Sequence, residues 1–213
     1  MAFGLNVTKM GDFADVIKYD ARAGRLFRID YDPGTKDKEA VDITSPPPSF
    51  AIDFGSLEVG YAKYTSQGPS YVMVPVGQPL PEQPAEAERD ENAKLTFRPA
   101  FRVRLYGKRL DGLREWSSTA SCVLEALDDL YQRSQAAPEA AAGQIPVVEL
   151  TRTIPITSGK GARANTVYAP VLTVVGWTDR VSAMGEQTVP PPTPELKVVA
   201  SSTKDELDDD IPF

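Results

Sequence analysis

The order of apolar and polar positions predicts a mainly β chain with one helix. Short runs rich in apolar and β-branched residues recur between turn residues, the pattern of strands in antiparallel connection. Residues 16–19 and 25–29 flank Ala21-Arg22-Ala23-Gly24 and predict a hairpin, which Pro33-Gly34 ends. A polar loop then continues to Pro46-Pro47-Pro48. Residues 50–54 and 57–64 form a longer extended segment, with Gly55 and Gly60 where a strand bends or bulges. A further strand, 71–76, follows the turn Gln67-Gly68-Pro69. Over 96–108, Phe97, Pro99, Phe101, Val103 and Leu105 alternate with Arg98, Ala100, Arg102, Arg104 and Tyr106, and Lys108 continues the second register. Period two sends the two sets to opposite faces, the apolar one inward.

The period then becomes helical. Ser117-Ser118-Thr119 offer N-cap hydroxyls before a run to about Gln135, in which Val123, Leu127, Leu130 and Tyr131 share one face with Leu124 beside them. A small-residue connector, 136–143, leads to two strong strands at about 146–156 and 167–178. Residues 78–92 are rich in Pro, Glu and Ala, cannot offset the entropy of ordering, and predict a mobile loop at about 78–93. Three strands, a helix and two strands is the element order of an OB-fold-like barrel. On that mapping 50–64 is the bent first strand, 71–76 the second and 96–106 the third, with the N-terminal hairpin an addition. The predicted organisation is a folded domain over 1–185 and a disordered linker with an acidic tip over 186–213, opened by Pro190-Pro191-Pro192 and Pro194.

Composition narrows the chemistry. A chain of 213 residues suits one domain with extensions. No apolar run approaches membrane-spanning length, and Met1-Ala2-Phe3-Gly4 leads into mixed polar sequence unlike a signal peptide. The single Cys122 excludes an internal disulfide, suits a reducing compartment, and reads as a buried inert thiol among Ala120, Val123 and Leu124. The absence of histidine removes a Ser-His-Asp triad, a His-Cys zinc site and any imidazole base. Carboxylate-only metal chemistry survives at Asp30, Asp32 and Asp53, which read more simply as solvent-side strand and turn carboxylates. The expectation is a protein that is not an enzyme and uses no cofactor or metal.

Net charge is −7, but its distribution matters more than its sum. Residues 204–213 hold five acids and Lys204, a net of −4, which leaves −3 for everything before them. Lys94, Arg98, Arg102, Arg104, Lys108, Arg109 and Arg114 face only Asp111 within 94–114. The polar register of 96–108 presents three guanidiniums and the Tyr106 phenol, an arrangement that a single nucleic-acid strand answers through phosphates and a stacked base. A strand face paired with acids on its neighbours is the plainer alternative. Residues 158–165 join the last two strands, and there Lys160 and Arg163 are placed among glycines for phosphate contact. That loop lacks the upstream glycine, the Ser/Thr after Lys160 and the following helix of a nucleotide-hydrolysing loop. Among Tyr61, Tyr64, Tyr71, Trp116 and Trp177, the ring of Trp116 is the better stacking candidate and Trp177 reads as structural.

The chain ends in Asp208-Asp209-Asp210-Ile211-Pro212-Phe213, with Asp205 and Glu206 upstream. A solvated tail has no folding reason to end in an aromatic. Its physical use is capture, in which the ring fills an apolar pocket, the terminal carboxylate meets a base and the aspartates cross a positive surface. This tip resembles that of the bacterial single-stranded DNA-binding proteins, whose acidic tails end in the same string. The resemblance covers Asp208, Asp209, Asp210, Ile211, Pro212 and Phe213 alone, and a divergent or phage-encoded analogue fits better than an ordinary member. It implies a hub that covers single-stranded DNA and recruits replication, recombination and repair proteins through the tip, in the cytoplasm of a bacterial cell or phage-infected host. The partners expected are single-stranded DNA and those proteins, with no membrane and with homo-oligomerisation left open. The alternative is an adaptor or decoy that binds host proteins through the tip and no DNA.

Overall fold

The computed structural model describes residues 15–32, 34–35, 37–65, 68–85, 87–90, 93–158 and 165–185, with 87–90, 93–95 and Ser158 described by backbone only. Lys160, Arg163, the linker and the tip lie outside the described residues. In chain order the strands are β1 Val16–Asp20, β2 Arg25–Tyr31, β3 Lys38–Asp42, β4 Ser49–Thr65, β5 Gly68–Pro75, β6 Ala87–Asp90, β7 Ala93–Thr96, β8 Arg98–Gly107, β9 Gly112–Ser118, β10 Ile145–Ser158 and β11 Asn165–Thr178. Helix α1 runs Ser121–Gln135 and the single-turn α2 Pro138–Ala141. The protein is mainly β with one substantial helix, as the alternation predicts.

Eight strands follow the order β11-β10-β4-β8-β9-β1-β2-β3, and β5 pairs with β4 off this path. The sheet is open and curls into a half-barrel consistent with an OB-like fold. The long β4 makes the curl. Its first residues pair with β10 on one edge, its second half with β5 on that same edge, and β8 runs along the other. A register shift between Asp53 and Glu58, at Gly55, lets the strand turn from one half to the other. At Gly60 a side chain is excluded, since a Cβ there would collide with the Val72 carbonyl oxygen of β5. Gly55 thus stands at the expected bend, whereas Gly60 serves a close approach of β5 rather than a bulge.

The N-terminal hairpin forms as predicted, with Asp20 opposite Arg25, but it belongs to the main sheet. Val16 and Ile17 pair in parallel with Glu115 and Trp116 of β9. At the far end, the Tyr168 amide donates to the Ala21 carbonyl at 2.7 Å, and the Tyr19 hydroxyl to the Tyr168 carbonyl at 2.8 Å. These bonds tie β11 back to the β1–β2 turn. Helix α1 lies along β11 at the same junction, where Arg133 donates to the Leu172 carbonyl.

The core fills the concave side. Ile17, Leu26, Phe50, Ile52, Phe101, Val103 and Leu105 from the sheet meet Val123, Leu127 and Leu130 of α1, and Phe54 packs edge-to-face on Tyr131 at 5.2 Å. Cys122 is a free thiol buried there, and burial raises its pKa, so it stays protonated. Three expectations give way. The helix starts after Ala120 with no side-chain cap, because Ser117 and Ser118 are taken up by the β8–β9 ladder. The polar loop before Pro46 contains β3, held by pairing with β2. The stretch read as a mobile loop carries the β6–β7 hairpin, a separate two-stranded sheet.

Candidate nucleic-acid interface

Strand β8 sits in the middle of the sheet with β4 and β9 on its two edges, so its outward residues meet theirs. Directly opposed residues share a face. Two rows cross the outer, convex side. Glu58, Arg102 and Ser117 form one, and Asp53, Arg104 and Glu115 the other. Phe97, Phe101, Val103 and Leu105 are buried as the alternation requires, but Pro99 of the same set is exposed and Ala100 of the polar register is buried. Two of the three outward arginines, however, are engaged within the chain. Arg102 lies 2.6 Å from the Glu58 carboxylate and 3.8 Å from that of Glu115, and its guanidinium covers the Tyr71 ring at 5.3 Å. Arg104 donates to the Met184 carbonyl at 2.8 Å. The plainer alternative, acids on neighbouring strands, is what Arg102 has, while Arg104 is engaged by a backbone carbonyl.

The segment after β11 explains the rest of this end. A single 3-10 turn, Ser182–Met184, folds back over β4 and β8 and brings fully buried Met184 against Ala51, Ile145 and Tyr106. Arg180 fastens it, donating from Nε and Nη2 to Asp53 Oδ2 at 3.1 and 2.7 Å, and also to the Met184 and Gly185 carbonyls. Tyr106 is consequently half-buried beneath the chain's own C-terminal segment. Asp53 is fully buried and paired, so it is no solvent-side carboxylate, and Asp30 binds Arg28 and Arg114. Among the described residues no group of three or more Asp, Glu, Cys or His is placed to hold a metal ion.

Trp116 is not on the surface. It is 2 % exposed and stands edge-to-face on Phe101 at 5.2 Å inside the core, because the β8–β9 register places it opposite inward Val103. It is a core ring and has no surface on which to stack a base. The same inversion buries Arg114, opposite Leu105. Trp177 is half-buried opposite Pro146, in keeping with a structural role. Of the other predicted contacts, Arg98 and Lys108 are exposed, and Arg98 makes no ion pair with another described residue. Arg109 is half-buried in the turn Lys108–Leu110, where its Nη1 has no partner among the described residues. Lys94 lies on β7, and its side chain is outside the described part.

A cluster that the sequence left ambiguous occupies the other end of the outer face. The Tyr64 and Tyr71 hydroxyls each lie 3.0 Å from Ser117 Oγ, and the two rings meet edge-to-face with centroids 6.3 Å apart. Burial raises the Tyr71 phenol, which therefore stays protonated. Arg98, paired with Ala62 two residues before Tyr64, shares this face. Only strand pairing unites these residues. The one signal in the sequence is the i, i+2 phase of Ala62 and Tyr64 on a strand.

Glu115 gives a pH test. Burial raises its pKa above the ordinary carboxylate range, against the attraction of Arg102 and with the help of Glu58. A carboxyl raised in the folded state contributes stability below its unfolded pKa and loses it as pH rises through the folded value. Glu115→Gln should therefore be more stable than the natural chain at neutral pH, with the difference shrinking towards about pH 4. Urea unfolding across that range checks it, and parallel stability curves would refute it.

No described helix is long and apolar enough to cross a membrane. No protein-family model matches the chain, and neither a curated protein nor a solved structure matches it.

Proposed function

We propose that this chain is a non-enzymatic, largely sequence-independent single-stranded DNA-binding protein whose C-terminal tip recruits replication, recombination and repair proteins in the bacterial or phage-infected cytoplasm. The observation that carries the reading is the terminal string Asp208-Asp209-Asp210-Ile211-Pro212-Phe213. The OB-like half-barrel supports it, because that architecture presents single-strand sites on an open sheet face and its loops. Exposed Arg98 and Lys108 supply cationic groups there without an acidic partner among the described residues. Affinity comes from phosphate contacts and base stacking, with little reading of base edges.

Fluorescence titration of the full chain with a labelled oligonucleotide, repeated across salt, tests this. The expected result is saturable binding with a log–log slope of about −0.7 for each phosphate contact. The adaptor or decoy reading draws on a specific observation of its own, the engagement of Arg102 and Arg104 by Glu58, Glu115 and Met184. Absent saturable binding, with tip-dependent capture of host proteins retained, the decoy reading stands and the DNA-binding one falls.

A further inference from the structure

We propose that Tyr64 is the stacking platform for one unpaired nucleobase and that Arg98 meets the phosphate beside it; this rests on the single-stranded DNA reading above. Tyr64 is 42 % exposed and is the one exposed aromatic among the described residues. A ring left in water on a sheet face adds nothing to the core. It is nevertheless held, by the 3.0 Å contact of its hydroxyl with Ser117 and by the edge-to-face contact with Tyr71. An edge-to-face contact uses at most one face of the Tyr64 ring and leaves the other for a planar partner. Because the side chain is already fixed, a stacked base gains contact area with little loss of rotamer freedom.

The neighbouring ring is not the platform. Tyr71 is half-buried, and Arg102 lies over it at 5.3 Å, itself fixed by Glu58. Tyr71, Arg102 and Ser117 form the support and Tyr64 the working surface. Arg98 supplies the charge. From the strand pairing, its Cα lies roughly 8 Å from that of Tyr64, two residues along one strand and one strand across. That separation suits a base on the ring and a phosphate of the same or adjoining nucleotide at the guanidinium. An exposed ring beside a guanidinium that has no acidic partner among the described residues matches a nucleotide strand, whose bases offer π faces and whose phosphates offer charge.

The test compares the full natural chain with Tyr64→Leu and Arg98→Gln on labelled oligothymidylate and on an abasic deoxyribose-phosphate strand of equal length. Tyr64→Leu should weaken oligothymidylate binding about 5- to 150-fold, the equivalent of about 1–3 kcal/mol, with the salt slope unchanged and the abasic strand bound as by the natural chain. Arg98→Gln should lower the slope by about 0.7 on both strands. Ultraviolet crosslinking of the natural chain to oligothymidylate, mapped by mass spectrometry, should place an adduct on Tyr64 and needs no variant to fold. Unchanged affinity of a folded Tyr64→Leu protein, or adducts confined to other residues, overturns the platform while the DNA-binding reading survives. Failure of the natural chain to bind either strand overturns both.

Discussion

Removal of Phe213 should abolish capture of replication and repair proteins from a host lysate while leaving the unfolding midpoint of the protein unchanged. The physical reason is that a pocket built for a terminal ring and its α-carboxylate loses both contacts when the last residue goes. Extending the chain beyond Phe213 should do the same, because it neutralises the carboxylate and obstructs the pocket. Changing Asp208, Asp209 and Asp210 to Asn should weaken capture less, and mostly at low salt, since exposed charges act over screened distances. Pull-downs with intact and truncated protein, read by quantitative mass spectrometry, decide the matter. Equal recovery of the same partners would remove the recruiting role of the tip.

The second large effect is on stability. Arg114 is 3 % exposed, and its Nε donates to the Leu110 carbonyl at 2.6 Å while Nη1 donates to that of Ile29 at 3.1 Å. Its Nη2 lies 3.0 Å from Asp30 Oδ1, and Asp15 and Asp111 stand further out at 3.4 and 3.6 Å. This one side chain joins β9, β2 and the β8–β9 turn. Arg114→Ala strands two carbonyls and part of a carboxylate in a buried place, for an expected loss of about 3–5 kcal/mol. The melting temperature should fall by roughly 6–20 °C for a domain of this size. Arg98→Ala, on the exposed end of β8, should change stability by no more than about 0.5 kcal/mol. Chemical denaturation of the two variants checks the contrast, and a loss under about 1 kcal/mol for Arg114→Ala would contradict the role assigned to it.

These two arginines show where reading the sequence succeeds and where it stops. Arg98, Arg102, Arg104 and Arg114 look alike along the chain, as members of one basic stretch. Alternation correctly separates an inward from an outward set over Phe101–Leu105, since that depends only on the pleat of one strand, but it fails at exposed Pro99 and buried Ala100. The spacing of Val123, Leu127 and Leu130 likewise identifies the buried face of α1, because helical periodicity is local. What answers each arginine depends instead on which strand lies beside it. Glu58 is 44 residues from Arg102 and meets it only through the β4–β8 ladder. Arg180 is 127 residues from Asp53 and reaches it only because the chain turns back after β11.

The sequence by itself determined the class of the fold, the bend at Gly55, the buried thiol, the helix and the two long closing strands, all set by short-range pattern and turn chemistry. It also supplies the terminal string on which the functional reading rests. Only the tertiary structure decided that Trp116 and Arg114 face the core, that the chain's own acids engage Arg102, that Met184 covers Tyr106, and that Tyr64 stands open beside Arg98. The physical reason is that strand pairing joins residues far apart in sequence. A one-residue choice of register after the Lys108–Leu110 turn sets which side of β9 is buried, and no local periodicity in a seven-residue strand records that choice.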